Sequence, residues 1–361
     1  MIHIVRWDAS ANKAEAIRPE DLPDTHADVG EGVYWIDLDD PTPEEEERVL
    51  KRFHPVHPLT LEDVTKPRRT PDEGPHLPKV EEFPDYLFVV VNPLPADVCR
   101  VPVKRNADEP RPPGGGSHSP LPGGRGSSAS HRRQRPQLSA ILTHNVLITH
   151  HYAPLPCVED GQKYLARHAD GLGRGPDYVF HLILDGIVDE YAPVVERITD
   201  RLDKLETKLF TRPSSELLAR LLRVKRQVSY LRKTLILERE VLARLLRGEF
   251  KLVEARELVY YRNVYDHLVR YTELIESARE MVSDLMQTHL SASSQKLNEV
   301  MKALTMISTI GLVCGLIAGI YGMNFENLPE KNWEYGYPFA LGLMVVAAVA
   351  AFLFFRWKKW V

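Results

Sequence analysis

Cysteine is scarce in this 361-residue chain: Cys99, Cys157 and Cys314 are far apart and odd in number. That excludes a disulfide framework and suits a reducing compartment. Net charge is scarce too, with 46 Lys and Arg against 50 Asp and Glu, a balance of −4. So small an excess gives no argument for a nucleic-acid partner. No Gly-rich phosphate loop, nucleophile elbow or metalloprotease motif appears, so the chain does not read as an enzyme. The opening MIHIVRWDAS lacks the apolar core of a signal peptide. Any membrane insertion then has to come from the other end.

That end supplies it. Two apolar segments, Ala303–Tyr321 and Pro338–Phe355, flank the polar run Gly322–Tyr337. Each has about the length a helix needs to cross a bilayer core, and lipid leaves the backbone no other partner than its own helix. The first carries Thr305, Ser308, Thr309 and Cys314, with Gly311, Gly315 and Gly319 at four-residue spacing. Small residues let helices approach closely, so this span belongs inside a bundle. The second, without hydroxyl or charge, belongs against lipid. The plainer reading of the hydroxyls is that they bond back to their own helix. Lys296 and Lys302 precede the first span, and Arg356, Lys358 and Lys359 follow the second. The loop has Glu326, Glu330 and Glu334 against Lys331 alone. Positive flanks stay in the cytoplasm, which predicts a multi-pass protein of the cell inner (plasma) membrane with both termini cytoplasmic.

The fold class expected is an α+β membrane protein: an N-terminal cytoplasmic α/β domain, an antiparallel helical hairpin, and a long stalk helix continuing into the first of two C-terminal transmembrane helices. The α/β domain spans 1–175. GVYWIDLDD (Gly32 to Asp40) reads as a strand running into a turn, and PTPEEEERVLKRF opens a helix with Pro43 in its first turn. The acidic run Glu44 to Glu47 is weighed as a metal site and read as a solvated helix start. YLFVVV is a buried strand by its unbroken apolar run. Residues 100–136, dense in Pro, Gly, Ser and Arg, form a flexible, solubilising insertion. Gln137 to Tyr152 reads as a hairpin turning at His144 and Asn145. His150, His151 and Cys157 lack the paired spacing of zinc ligands and read as ordinary strand-end residues.

The helical hairpin spans 176–249, with Asp177 to Phe210 predicted as one helix kinked at Pro193. Thr211 to Ser215 breaks it, and the next helix ends around Arg247 and Gly248. The stalk helix, 250–302, starts near Phe250 and carries a seam at three- and four-residue steps: Leu258, Tyr261, Tyr265, Leu268, Thr272, Ile275, Arg279, Val282, Met286, His289, Ser293. Its partner is either another copy or the preceding hairpin. Residues 303–321, 322–337, 338–357 and 358–361 are the inner span, outer loop, outer span and basic tail.

At the outer loop, Tyr321-Gly322-Met323-Asn324-Phe325, followed by Glu326 and Pro329-Glu330, resembles the signature loop of the CorA family of magnesium channels. NEVMKALTMISTI and IAGIYGMNF resemble the family's inner helix, GYP to RWKKW its outer helix and tail. HPLTLEDV (His57 to Val64), LPKVEEFPDYLFVV and NVYDH (Asn263 to His267) are similar to its cytoplasmic parts. The resemblance covers nearly the whole chain outside the insertion. It implies a homopentamer in membrane lipid, with Gly322, Met323 and Asn324 as the selectivity filter. Asn324 would give a ring of amide oxygens that holds a hydrated ion through its waters. The inner stripe Asn298, Met301, Leu304, Thr305, Ser308 and Leu312 is expected to face the axis, with Met301 and Leu304 as an apolar constriction.

The same resemblance implies gating by intracellular magnesium that bridges subunits, with Asp63, Glu62 and Asp185 among the ligands. Two departures stand out. Asn263 takes the place of the family's stalk Asp, which predicts weaker magnesium sensing unless Asp266 compensates. Val313 replaces the usual proline, which predicts a straighter span. The expected function is passive uptake of magnesium, with cobalt and nickel as further candidate ions and no cofactor beyond the Mg2+ it carries and senses. The alternatives are a zinc transporter of the ZntB type, disfavoured by Gly-Met-Asn, and a non-conducting membrane-tethered metal sensor or scaffold.

Overall fold

The computed structural model describes residues 1–8, 13–30, 32–70, 74–95, 136–211, 215–323 and 333–360. Asn324, Cys99, Glu326, Glu330 and nearly all of the predicted insertion at 100–136 lie outside them.

Seven strands form one sheet: β1 (Ile2–Asp8), β2 (Lys13–Ile17), β3 (Val33–Asp39), β4 (Lys79–Glu82), β5 (Leu87–Val91), β6 (Leu138–Leu142) and β7 (Val146–His151), in the order β2-β1-β3-β7-β6-β5-β4. Only β3 and β7 pair in parallel, with Ile36 opposite Ile148. The predicted hairpin at His144 and Asn145 is the β6–β7 turn, in register from Leu142 opposite Leu147. β5, β6 and β7 are buried along their whole length, as unbroken apolar runs require when both faces are covered.

Helix α1 (Pro43–Glu47) begins with a capping box, the Thr42 side chain accepting from the Glu45 amide and the Glu45 carboxylate accepting from the Thr42 amide. It runs on as a π-helical turn, Arg48–Phe53, that buries Val49, Leu50 and Phe53. The solvated reading of its acidic start fails at Glu46. That side chain is buried because His150, Tyr152 and Arg68 all converge on its Oε1, at 3.1, 2.6 and 3.4 Å. α2 (Pro58–Arg69) starts on a proline with His57 Nδ1 accepting from the Leu59 amide. Its Val64 joins the core formed by Ile36, Phe53, Phe88 and Ile148.

Helices α3 (Pro156–Arg167), α4 (Pro176–Asp189), α5 (Ala192–Thr211), α6 (Ser215–Leu246), α7 (Leu258–Tyr321) and α8 (Gly336–Trp357) follow. The single helix expected over 177–210 is two. The chain breaks at Glu190 and Tyr191, just before Pro193: proline has no amide to donate to the Asp189 carbonyl four residues back, so the ladder cannot run on through it, while proline suits the first turn of a new helix. α7 starts at Leu258, eight residues later than expected. It then continues unbroken for 64 residues, about 96 Å at 1.5 Å per residue. It passes through Val313 without interruption, as the missing proline predicts.

The described chain forms two compact units. One comprises 1–204 and 222–282, the other 205–221 and 283–361. In the first, the seam of α7 is filled from within the chain. Tyr261, Leu268 and Ile275 are fully buried, the Tyr261 hydroxyl donates to the Asp177 carbonyl, and Arg232 of α6 bonds Glu276.

Candidate functional site

The second unit holds α7 from Ser283 to its end at Tyr321 and all of α8. Both are long and apolar enough to cross a membrane, and none of the most apolar stretch of α7 is buried within the chain. Exposure along α7 is nonetheless two-sided. Lys302, Met306, Thr309, Ile310, Val313, Cys314 and Ile317 are partly covered, and Cys314 Sγ lies 3.9 Å from the Met344 carbonyl of α8. Asn298, Met301, Leu304, Thr305, Ser308 and Leu312 are all exposed. At 100° per residue Met301, Leu304, Ser308 and Leu312 fall on the side away from the covered set, while Asn298 and Thr305 lie at its edge. Asn298, Met301 and Thr305 line a shallow hollow with Trp360, just beyond the end of α8, so only part of the predicted axial stripe is turned away from α8. Gly311, Gly315 and Gly319 are also exposed, and a Cβ on any of them would meet nothing within the chain.

The hydroxyls behave as the plainer reading had it. Thr305 Oγ1 donates to the Met301 carbonyl and Thr309 Oγ1 to the Thr305 carbonyl, both at 2.8 Å. Their protons are used inside the helix, so each offers only lone pairs outward. At the end of α7 the Gly322 amide donates to the Ala318 carbonyl at 2.9 Å. A Cβ there would come within 3.1 Å of that same oxygen, so glycine suits the close turn. Met323 follows, half exposed.

The expected cytoplasmic ligands lie in the first unit, and the structure gathers them differently from the expectation. Asp63, on α2, has both oxygens engaged: Oδ2 is 2.5 Å from Lys79 Nζ and Oδ1 is 2.7 Å from His76 Nε2. Glu62, one residue away, is exposed beside Arg69. Asn263 and Asp266 are exposed on α7. Asp185 joins a different group. One ligand atom each from Asp185, Asp189 and His267 lie within 4.8 Å of one another. Asp185 Oδ1 and His267 Nδ1 are buried without a hydrogen bond, and His267 Nδ1 lies 3.9 Å from Asp189 Oδ1. Burial, then the charge of Asp189, raises the Asp185 pKa against the pull of His267. Two carboxylates and an imidazole fit a divalent cation, and the nitrogen favours a transition metal over magnesium, which prefers oxygen ligands.

This triad was missed from sequence, although Asp185 and Asp189 at i and i+4 give its signal. His267 comes from 78 residues further on. His150 and His151 do not form a metal cluster with Cys157. His150 is held by Glu46, His151 by Asp37 at 3.2 Å and the Ala153 carbonyl at 2.8 Å. Burial pushes the Cys157 thiol far up.

Comparison with known proteins bears on both units. A family model described as CorA-like Mg2+ transporter protein matches residues 121–359. The cobalt/magnesium transport protein CorA of Thermotoga maritima is 35% identical over 310 residues, 85% of this chain and 78% of its own length. A Bacillus subtilis protein, the putative metal ion transporter YfjQ, is 28% identical over 91% of this chain and 89% of its own. Among solved structures, the CorA magnesium transporter from Methanocaldococcus jannaschii aligns with a TM-score of 0.76 at 22% identity, covering 100% of this chain and 99% of its own. The cytoplasmic domain of ZntB from Vibrio parahaemolyticus aligns less well, with a TM-score of 0.57 at 12% identity, over 81% of this chain and 99% of its own. At those identities the structural likeness is one of fold.

Proposed function

The chain belongs to the family of CorA-like Mg2+ transporters, and from that premise we propose that it is a passive divalent-cation channel for magnesium, with cobalt as a second ion. Copies of α7 line the pore and copies of α8 surround them, five of each by family resemblance. The protein sits in the cell inner membrane with both termini cytoplasmic. Residues 1–175, 176–249 and 250–302 serve as cytoplasmic domain, hairpin and stalk. Transport needs no catalysis. A divalent ion gains roughly 4.6 kcal/mol from 100 mV of membrane potential, enough to drive uptake.

The observation that carries this reading is the exposed stripe of Met301, Leu304, Ser308 and Leu312 on the side of α7 away from its α8-covered face. A face that is neither packed in its own chain nor uniformly apolar has to be completed by other copies around water. Gly322, Met323 and Asn324 form the outer collar, whose neutral oxygens hold the hydrated ion without trapping it. On the cytoplasmic side, Asp185, Asp189 and His267 form a cation-responsive site, with Asn263 and Asp266 exposed nearby on α7. In liposomes under an inside-negative potential, the channel should admit magnesium and cobalt, and Asn324→Ala should lose selectivity or flux. Vesicles that stay impermeable to both ions while holding intact assemblies would overturn the reading. Entry of zinc alone would favour the ZntB-type alternative.

A further inference from the structure

The proposed cation sensing makes Asp63 a natural ligand, and this chain's own packing argues otherwise. Asp63 is 8% exposed, and no oxygen of its carboxylate is free. Lys79 reaches Oδ2 at 2.5 Å from β4 and is itself fixed by Glu81 Oε1 at 2.8 Å, with Phe88 under its ammonium at 5.7 Å. His76 reaches Oδ1 at 2.7 Å. Two buried amides pin the pair: Gln137 Oε1 accepts from the His76 backbone and Asn92 Nδ2 donates to its carbonyl, while Gln137 Nε2 donates to the Asp63 carbonyl.

Resting on the channel reading, we propose that Lys79 is a tethered counter-cation that occupies the place of a divalent ion at Asp63, so that this carboxylate takes no part in cation sensing. A divalent cation approaching Asp63 has to displace an ammonium that two carboxylates and an aromatic face hold in a half-dry site. Removing one member of such a pair leaves the other charge uncompensated, and the vacated position then becomes the cation site that Lys79 had filled. Asn263 points the same way. Where a neighbouring copy would offer its stalk residue to the bridge, this chain offers a neutral amide.

The test uses the full-length protein in detergent and reads the magnesium midpoint for protection from limited proteolysis. Asp63→Asn should leave the parent midpoint within about threefold, roughly 0.6 kcal/mol. Lys79→Gln should lower it by more than that factor, and adding Asp63→Asn should cancel the gain. A parent midpoint moved more than threefold by Asp63→Asn, or a Lys79→Gln midpoint that does not fall, overturns the proposal. Should Lys79→Gln fail to fold, amine-acetylation footprinting of the unaltered protein decides: Lys79 should stay equally protected with and without magnesium, and its exposure by magnesium overturns the proposal. Liposome flux reads the pore separately. Lost flux with the Lys79 result intact removes the channel reading, and the reverse removes only this one.

Discussion

Glu238 of α6 sits wholly inside the protein, where Oε1 accepts from the Asn92 amide at 3.0 Å and Oε2 lies 2.8 Å from the Tyr191 hydroxyl. That hydroxyl also donates to the Asn92 carbonyl at 3.0 Å. Burial pushes the Glu238 pKa up to about 8. Because the folded pKa lies above the unfolded one, the stability this carboxyl contributes is fully present below about 4.5 and declines as pH rises through about 8. Glu238→Gln should keep the geometry, its amide donating to the Tyr191 oxygen, and should flatten that decline. Its melting temperature should gain on the parent as pH goes from 5 to 8, and equal pH slopes would refute the assignment. His54 sets the acid side. Burial, then the charge of nearby His26, depresses its pKa to about 4, so its contribution is present above about 6.5 and lost as pH falls towards 4. His54→Leu should move the acid-unfolding midpoint to lower pH. Neither role was legible in the sequence. Glu238 lies in a helix rich in charged residues, and burial of single polar groups depends on tertiary neighbours that no local pattern reports.

The helices were legible in type and less so in their ends. α7 was expected from Phe250 because nothing between there and Leu258 breaks a helix. The structure holds that stretch back with tertiary bonds. The Glu254 amide donates to Asp177 Oδ2 at 2.9 Å instead of to a helical carbonyl. Glu257, fully buried, accepts from Arg174 Nη2 on both oxygens, at 2.9 and 2.8 Å, while Nη1 donates to the Tyr260 hydroxyl at 3.2 Å. Arg174 in turn lies against the rings of Tyr178 and Tyr260, 3.9 and 4.7 Å from their centroids. Arg174→Ala leaves the buried Glu257 with the longer Arg256 contact, 3.5 Å from Oε1, and should cost about 2 to 3 kcal/mol in denaturant unfolding. Arg174→Lys keeps the charge but loses the planar fork and its stacking, so it should recover only part of that loss. Full recovery by lysine would mean that charge alone holds the start of α7. β1 and β2 were overlooked, although Ile2, Ile4 and Trp7 are buried along β1. The strand is brief and its pattern irregular, and its identity comes from pairing with β3.

The face proposed to conduct rests on a pattern that spans a whole helix, so it can be proposed from the sequence before any contact is known. The partnership of Asp63 with Lys79 could not, since it depends on how β4 lies beside α2. On the channel reading, Met301 and Leu304 present apolar side chains, 58% and 56% exposed in the single chain, on the axial face. A ring of such groups narrow enough to expel water blocks a hydrated ion without any charge. A hydroxyl in that ring offers water a partner and keeps the passage wet. Leu304→Ser should therefore raise magnesium leak several-fold in liposomes under the high-magnesium condition that holds the parent shut. Val346→Ser on α8, equally exposed in the single chain at 65%, should leave leak unchanged because that position faces lipid or a neighbouring helix. If both substitutions raise leak alike, membrane damage explains the effect and the constriction lies elsewhere; if neither does, Leu304 is not at the narrowest point.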